Sequence, residues 1–160
     1  MARGELEASA VGLRALSVLL GVFVLFMGID KIAWFADDSR LAGLFQEWRG
    51  AAPAYTRWYL DRVAIPGLPV FARLVPLAEL SVGVALITGF QARLAAALML
   101  FMVVNFHFAS DVMFHYSYLI NAYGLPVISG LLALVIGGKR LPLSVFARRG
   151  PAEARRGRHV

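Results

Sequence analysis

Six polar residues interrupt otherwise apolar runs in this chain: Lys31, Arg73, Glu79, Asn105, His107 and Asn121. Asp30, Asp111 and His115 stand at the edges of the same runs. Ionisable groups at membrane depth cost several kcal/mol unless paired or hydrated, so their positions are where chemistry is sought first. The side chain of Lys31 is long enough to reach inward toward Glu79, and Arg73 is positioned to pair with Asp30 or Asp111. Such a set serves either of two purposes. It compensates charge and fixes helix register, or it forms a site for a proton or a quinone headgroup.

His107, Asp111 and His115 are spaced four and four apart, which on a continuous helix places two imidazoles and a carboxylate on one face. That combination resembles a two-His, one-carboxylate ligand set. The apolar run ends near Ser110, however, and no metal is expected there. Bis-His haem ligation needs histidines on facing helices, and the third histidine, His159, is in the basic tail. The chain has no cysteine, which excludes structural disulfides, CxxC couples and thiolate metal sites. No redox cofactor of its own is expected, so electron transfer would depend on a partner.

The elements that must position these residues are apolar. Residues 116–138 contain no Asp, Glu, Lys or Arg, and a spanning helix needs ~20 residues. Residues 15–29 are uncharged, and the apolar character resumes past Asp30 and Lys31 at residues 32–35, so one helix through both halves is long enough to cross. Residues 94–110 form a third stretch, and residues 69–90, interrupted by Arg73 and Glu79, a further one. With 59% hydrophobic and 16% charged residues and a mean hydropathy of +0.69, the composition is that of a membrane protein. The expected architecture is an all-α bundle of four transmembrane helices in a single domain over residues 1–160. Its core spans about residues 13–138, and a basic tail occupies residues 139–160. The balanced leader and the absence of a small-residue cleavage site after the first apolar run read as an uncleaved anchor.

Basic residues set the expected orientation. The tail carries Lys139, Arg140, Arg148, Arg149, Arg155, Arg156 and Arg158 against the single acid Glu153. Four crossings place the N-terminus on the same, cytoplasmic, side, with Arg93 in the short turn between the second and third spans. The long loop over residues 30–68 has equal numbers of basic and acidic residues and belongs outside, as does the loop near residues 111–115. The net charge of +6 is thus a topology signal, with anionic lipid headgroups as a further contact for the tail and no role for nucleic acid. Within the long loop, Leu41, Leu44, Phe45 and Trp48 fall at helical spacing, with Asp38 or Ser39 as cap and Gly50 as stop, which predicts a short interfacial helix. Tyr55, Trp58 and Tyr59 follow as an interfacial aromatic belt. Gly21, Gly28, Gly83, Gly89 and the run Ala95, Ala96, Ala97 supply small surfaces for helix contact. Pro126 should bend the fourth helix.

The segment Gly28-Ile29-Asp30-Lys31, followed by residues 76–93 with Glu79, Gly83, Gly89 and Arg93 in the pattern Glu-x3-Gly-x5-Gly-x3-Arg, resembles the DoxX family of four-helix membrane proteins. The resemblance runs from about residue 13 to residue 143 and includes Asn121 and the exit Gly137-Gly138. It implies a four-helix bundle in the bacterial plasma membrane. Family members include subunits associated with thiosulfate:quinone oxidoreductase and proteins linked to redox-stress complexes. Lys31 and Glu79 are the charged positions that match its pattern. The resulting expectation is a membrane subunit of a quinone-linked oxidoreductase, acting with a protein partner. The alternatives are a noncatalytic anchor or assembly factor and, more remotely, a small transporter; a homo-oligomer is compatible with each.

Overall fold

No proline interrupts the chain before Pro53, and the first apolar run forms one helix, α1, over Arg3–Asp30. The computed structural model describes residues 3–139 and 141–144; the basic tail beyond Ser144 lies outside the described residues. The helix does not continue through Lys31 as expected. It stops at Asp30, and Ile32–Phe35 form a separate 3-10 turn with Trp34 buried. The extra length comes from the N-terminal side instead, so α1 is long enough to cross a membrane without residues 32–35.

Two short helices follow. α2, Ser39–Ala51, has Asp38 at its N-cap position and runs one residue past the expected stop at Gly50, ending before Pro53. α3, Ala54–Tyr59, leads into a π-helical turn over Leu60–Ala64. The apolar stripe of α2 packs on protein. Leu41 and Phe45 are buried in a cluster with Trp34, Leu60, Ala64, Ala72, Val75 and Ala109, and Leu44 and Trp48 pack against it. On the outer side, Arg49 of α2 pairs with Asp61 in the π turn, and this hydrogen bond holds the Asp61 carboxyl below the ordinary carboxylate range.

The next two apolar runs form α4, Leu68–Thr88, and α5, Ala92–Ala109, joined by a tight turn in which Gly89 adopts φ +75°. The final run is not the continuous span that its composition suggests. Tyr116–Ile120 form a 3-10 turn, Asn121 to Gly124 break the helix, and α6 covers only Leu125–Gly137. Pro126 is the cause. It sits in the first turn of α6, where its missing N–H costs nothing, so it starts the helix rather than bending it.

Among the described residues the fold is helical, and three helices are long and apolar enough to cross a membrane: 24 residues of α1, 21 of α4 and 18 of α5. α6, at 13 residues, is shorter than a straight crossing requires. α1 packs on α4 and α6, and α5 packs on α4 and α6, closing a ring of four. Inside the ring, Val24, Val82, Leu86, Met99, Leu131 and Leu134 form one buried cluster, while the cluster under α2 caps the other end. Large apolar side chains such as Leu19, Phe26, Val70, Phe101 and Ile136 point outward and exposed, as lipid-facing residues do.

The α1–α4 seam is the closest in the bundle, because small residues let the backbones meet. A Cβ added at Gly83 would lie 2.8 Å from the Cα of Leu25, and one at Gly28 would lie 2.9 Å from the backbone nitrogen of Leu80. Neither neighbour can yield without moving a helix. Gly83→Ala should therefore lower thermal stability in detergent by about 1–3 kcal/mol. Gly43→Ala in α2, where an added Cβ meets nothing within 4 Å, should not lower it.

Candidate functional site

The contact at Gly28 brings α1 and α4 together one turn before α1 ends, and so places Lys31 beside Glu79. A Cβ at Gly28 would lie 3.1 Å from the Cβ of Glu79, so the glycine is what admits the carboxylate-bearing turn. Lys31 Nζ donates to Glu79 Oε1 at 3.1 Å and to the Met27 carbonyl at 3.0 Å, and it lies 3.0 Å from Glu79 Oε2. The second donation satisfies a carbonyl left open at the C-terminal end of α1, where a cation is also favoured by the helix dipole. Lys31 lies over the ring of Trp34, 5.8 Å from its centroid. The Glu79 side chain is 4% exposed and that of Lys31 15%, so the pair is almost wholly removed from solvent.

Glu79 Oε2 is compensated in charge but not in hydrogen bonding. Although near Nζ, it receives no hydrogen bond of acceptable geometry and is a buried acceptor without a donor. A cavity of about 170 Å³, partly open to the surface, is lined in part by Glu79, with Oε2 itself buried away from it. Its walls combine Lys31 and Glu79 with Trp48 of α2, Phe106 and His107 of α5 and three methionines, Met27, Met99 and Met102. Met99 belongs to the core cluster between the long helices, whereas Trp48, Met102 and Phe106 pack on the cluster under α2. The cavity thus lies where the two cores meet.

The structure brings Lys31, Glu79 and His107 to this cavity and sends the other candidates elsewhere. His107 Nδ1 is 2.7 Å from the Tyr118 hydroxyl, and the two rings meet edge to face. Its Nε2 makes no hydrogen bond among the described residues. Asn105 instead exchanges hydrogen bonds with the Tyr59 hydroxyl, at 2.8 and 3.1 Å, beside a second, water-sized void under α2. Arg73 pairs with neither Asp30 nor Asp111. It is exposed, donates to the Pro69 carbonyl at 2.8 Å and lies 3.9 Å from Asp38, since its side chain turns away from the bundle toward the loop before α2. Asn121 lies in the break before α6 rather than within a span, and accepts from the Tyr123 amide at 2.8 Å. Asp30 ends α1 on an exposed position away from the cavity.

The spacing of His107, Asp111 and His115 does not produce one face. α5 ends at Ala109, and Asp111 takes a left-handed conformation, φ +61°, that reverses the chain. Asp111 then meets His115 at 3.2 Å and accepts from Tyr55 and the buried Thr56, tying α3 to the end of α5, while His107 stays with Tyr118. No three of His, Asp and Glu gather into a ligand set among the described residues.

Sequence reasoning missed two residues at the opposite end of the α1–α4 seam. Arg14 donates to the carbonyls of Leu86 and Ile87, at 3.0 and 2.6 Å, and buried Ser17 donates to Leu86 at 2.8 Å. Both close open carbonyls at the C-terminal end of α4. Tyr118 was likewise missed as the partner of His107. The geometry leads to a test of the ion pair. Removing either Lys31 or Glu79 alone strands a buried charge, at a cost of about 3–5 kcal/mol, whereas removing both costs less than the two losses added. Thermal unfolding in detergent of Lys31→Met, Glu79→Gln and the double variant checks this, and strict additivity would eliminate the pair.

A model of the DoxX family matches residues 12–111, from within α1 through the end of α5, and includes both members of the ion pair. No curated protein and no solved structure matches the chain. The matched segment holds the α1–α4 seam with its glycines, the Lys31–Glu79 pair and the cavity-lining face of α5, and on that extent the chain belongs to the DoxX family.

Proposed function

We propose that the protein is a membrane subunit of a quinone-linked oxidoreductase or redox-stress complex, and that the cavity bounded by Lys31, Glu79 and His107 receives a quinone headgroup. The observation that carries this reading is the pairing of a buried charged pair and an imidazole with an otherwise apolar cavity in one bundle. A quinone headgroup needs that combination: an apolar wall and a few convergent polar groups. With no cysteine in the chain, a protein partner would supply the redox centres, and the subunit alone would not turn over. The proposed setting is the bacterial plasma membrane, with α1, α4, α5 and the shorter α6 as four crossings and both termini cytoplasmic.

The second reading, a noncatalytic anchor or assembly factor, is favoured by the place of the ion pair. Lys31 and Glu79 bridge the tightest helix seam, where a charge pair fixing register needs no ligand. Turnover of the complex purified with its native partners separates the two. Glu79→Gln and His107→Ala should each lower quinone turnover at least tenfold with the complex still assembled. Normal turnover in both variants would establish the anchor, and turnover by the lone chain would contradict both readings.

Orientation is tested independently, because the chain has no cysteine. Single cysteines at Ser39, Ser117 and Ser144 are exposed to an impermeant thiol reagent in intact cells. Positions 39 and 117 should label and position 144 should not. The reverse would invert the topology.

A further inference from the structure

We propose that Met27, Met99 and Met102 form a copper(I) site inside the bundle. The chain has five methionines, and three of the four beyond Met1 line one cavity, that of about 170 Å³ beside the Lys31–Glu79 pair. They come from opposite corners of the ring, Met27 from α1 and the other two from α5, both helices packing on α4 and α6. Met99 and Met102, three residues apart, share one face of α5. The helices also set all three at one depth. α4 and α5 are joined by a tight turn, so residues equally far from it stand level: Glu79, nine residues before the end of α4, lies level with residue 101, nine after the start of α5. Gly28 of α1 abuts Glu79 and Leu80, which brings Met27 level with the stretch between Met99 and Met102.

Three thioethers on one cavity are a soft, uncharged ligand set, and such a set selects copper(I) over the harder divalent ions. Calcium and magnesium need oxygen ligands, and zinc takes thiolates, imidazoles or carboxylates. The one carboxylate at the wall is not free to serve them, since Glu79 Oε1 accepts from Lys31 and Oε2 is buried. The ion pair is neutral as a whole, so a monovalent ion beside it meets no net charge. His107, five residues beyond Met102 toward the end of α5, stands outside the set. The cavity is roughly ten times the space that one water needs, and the three rotatable bonds of each methionine let its sulfur close on an ion there. Because thioethers favour the reduced ion, the site holds or hands on copper rather than passing electrons. It needs neither Lys31, Glu79 nor His107 as a ligand, so it stands or falls separately from the quinone reading.

The experiment titrates copper(I) into the full-length chain in detergent, anaerobically and with a reductant, against a chromophoric copper(I) chelator. The wild type should take one ion per chain in competition with the chelator. Leucine keeps the volume of methionine and drops the sulfur, so it separates ligation from packing. Met27→Leu, Met99→Leu and Met102→Leu should each weaken binding at least about tenfold, as loss of a group supporting a metal does, with the melting temperature nearly unchanged. Met113→Leu, which lies off the cavity, should bind as the wild type does. X-ray absorption of the copper-loaded wild type supplies a measurement that needs no variant, and should show sulfur neighbours. No binding, binding that survives all three cavity substitutions, or a copper surrounded by nitrogen and oxygen alone would overturn the site.

Discussion

A carboxylate buried in an apolar bundle must be compensated, and the arrangement around Glu79 follows from that requirement. Compensation needs a cation within reach, which requires α1 to end where it does, one turn past Gly28, with Lys31 turned back along the helix to its own terminal carbonyl. It also needs the helices close, which the glycines of the seam permit at Gly21, Gly28 and Gly83. At the far end Arg14 and Ser17 hold the terminal carbonyls of α4. The seam is thus fastened at both ends by polar contacts, and between them by close packing at its glycines.

The rest of the fold closes over this seam. α2 buries Leu41 and Phe45 on the end of the bundle and brings Trp48 to the cavity wall, and Tyr59 of α3 packs on the same cluster. They are themselves held by contacts at the surface, Arg49 with Asp61 and Tyr55 and Thr56 with Asp111. Asp111 tolerates its left-handed backbone because Asp is among the residues for which that conformation costs least. The reversal there ends α5 and frees Tyr118 to reach His107. Where the two hydrophobic clusters meet, methionines line the gap, an unbranched side chain suited to an irregular space.

How far these features were legible from sequence depended on whether each partner has a signature. The Lys31–Glu79 pair was legible because a deep carboxylate has few possible partners and only one flexible cation lay at the right depth. The helical spacing of Leu41, Leu44, Phe45 and Trp48 disclosed α2, although the stripe turned out to face protein. Arg14 and Ser17 bind backbone carbonyls, which leave no mark on a sequence, and their role was invisible for that reason. Arg73 was misassigned because its contacts are local to its own helix and to a loop whose path is not encoded in periodicity. The last apolar run misled by composition: it is uncharged throughout, but Gly124 and Pro126 set a helix start inside it. The common face that the spacing of His107, Asp111 and His115 offers is lost at the end of α5, since spacing implies a shared face only while the helix lasts.

The central claim is that Glu79 is an ionised carboxylate held by Lys31 inside the α1–α4 seam. Infrared difference spectroscopy between the wild type and Glu79→Gln, in detergent at neutral pH, tests it directly. The account predicts carboxylate stretching bands that vanish in the variant and that shift in Lys31→Met. The carbonyl stretch of a protonated carboxylic acid at Glu79 in the wild type would contradict it.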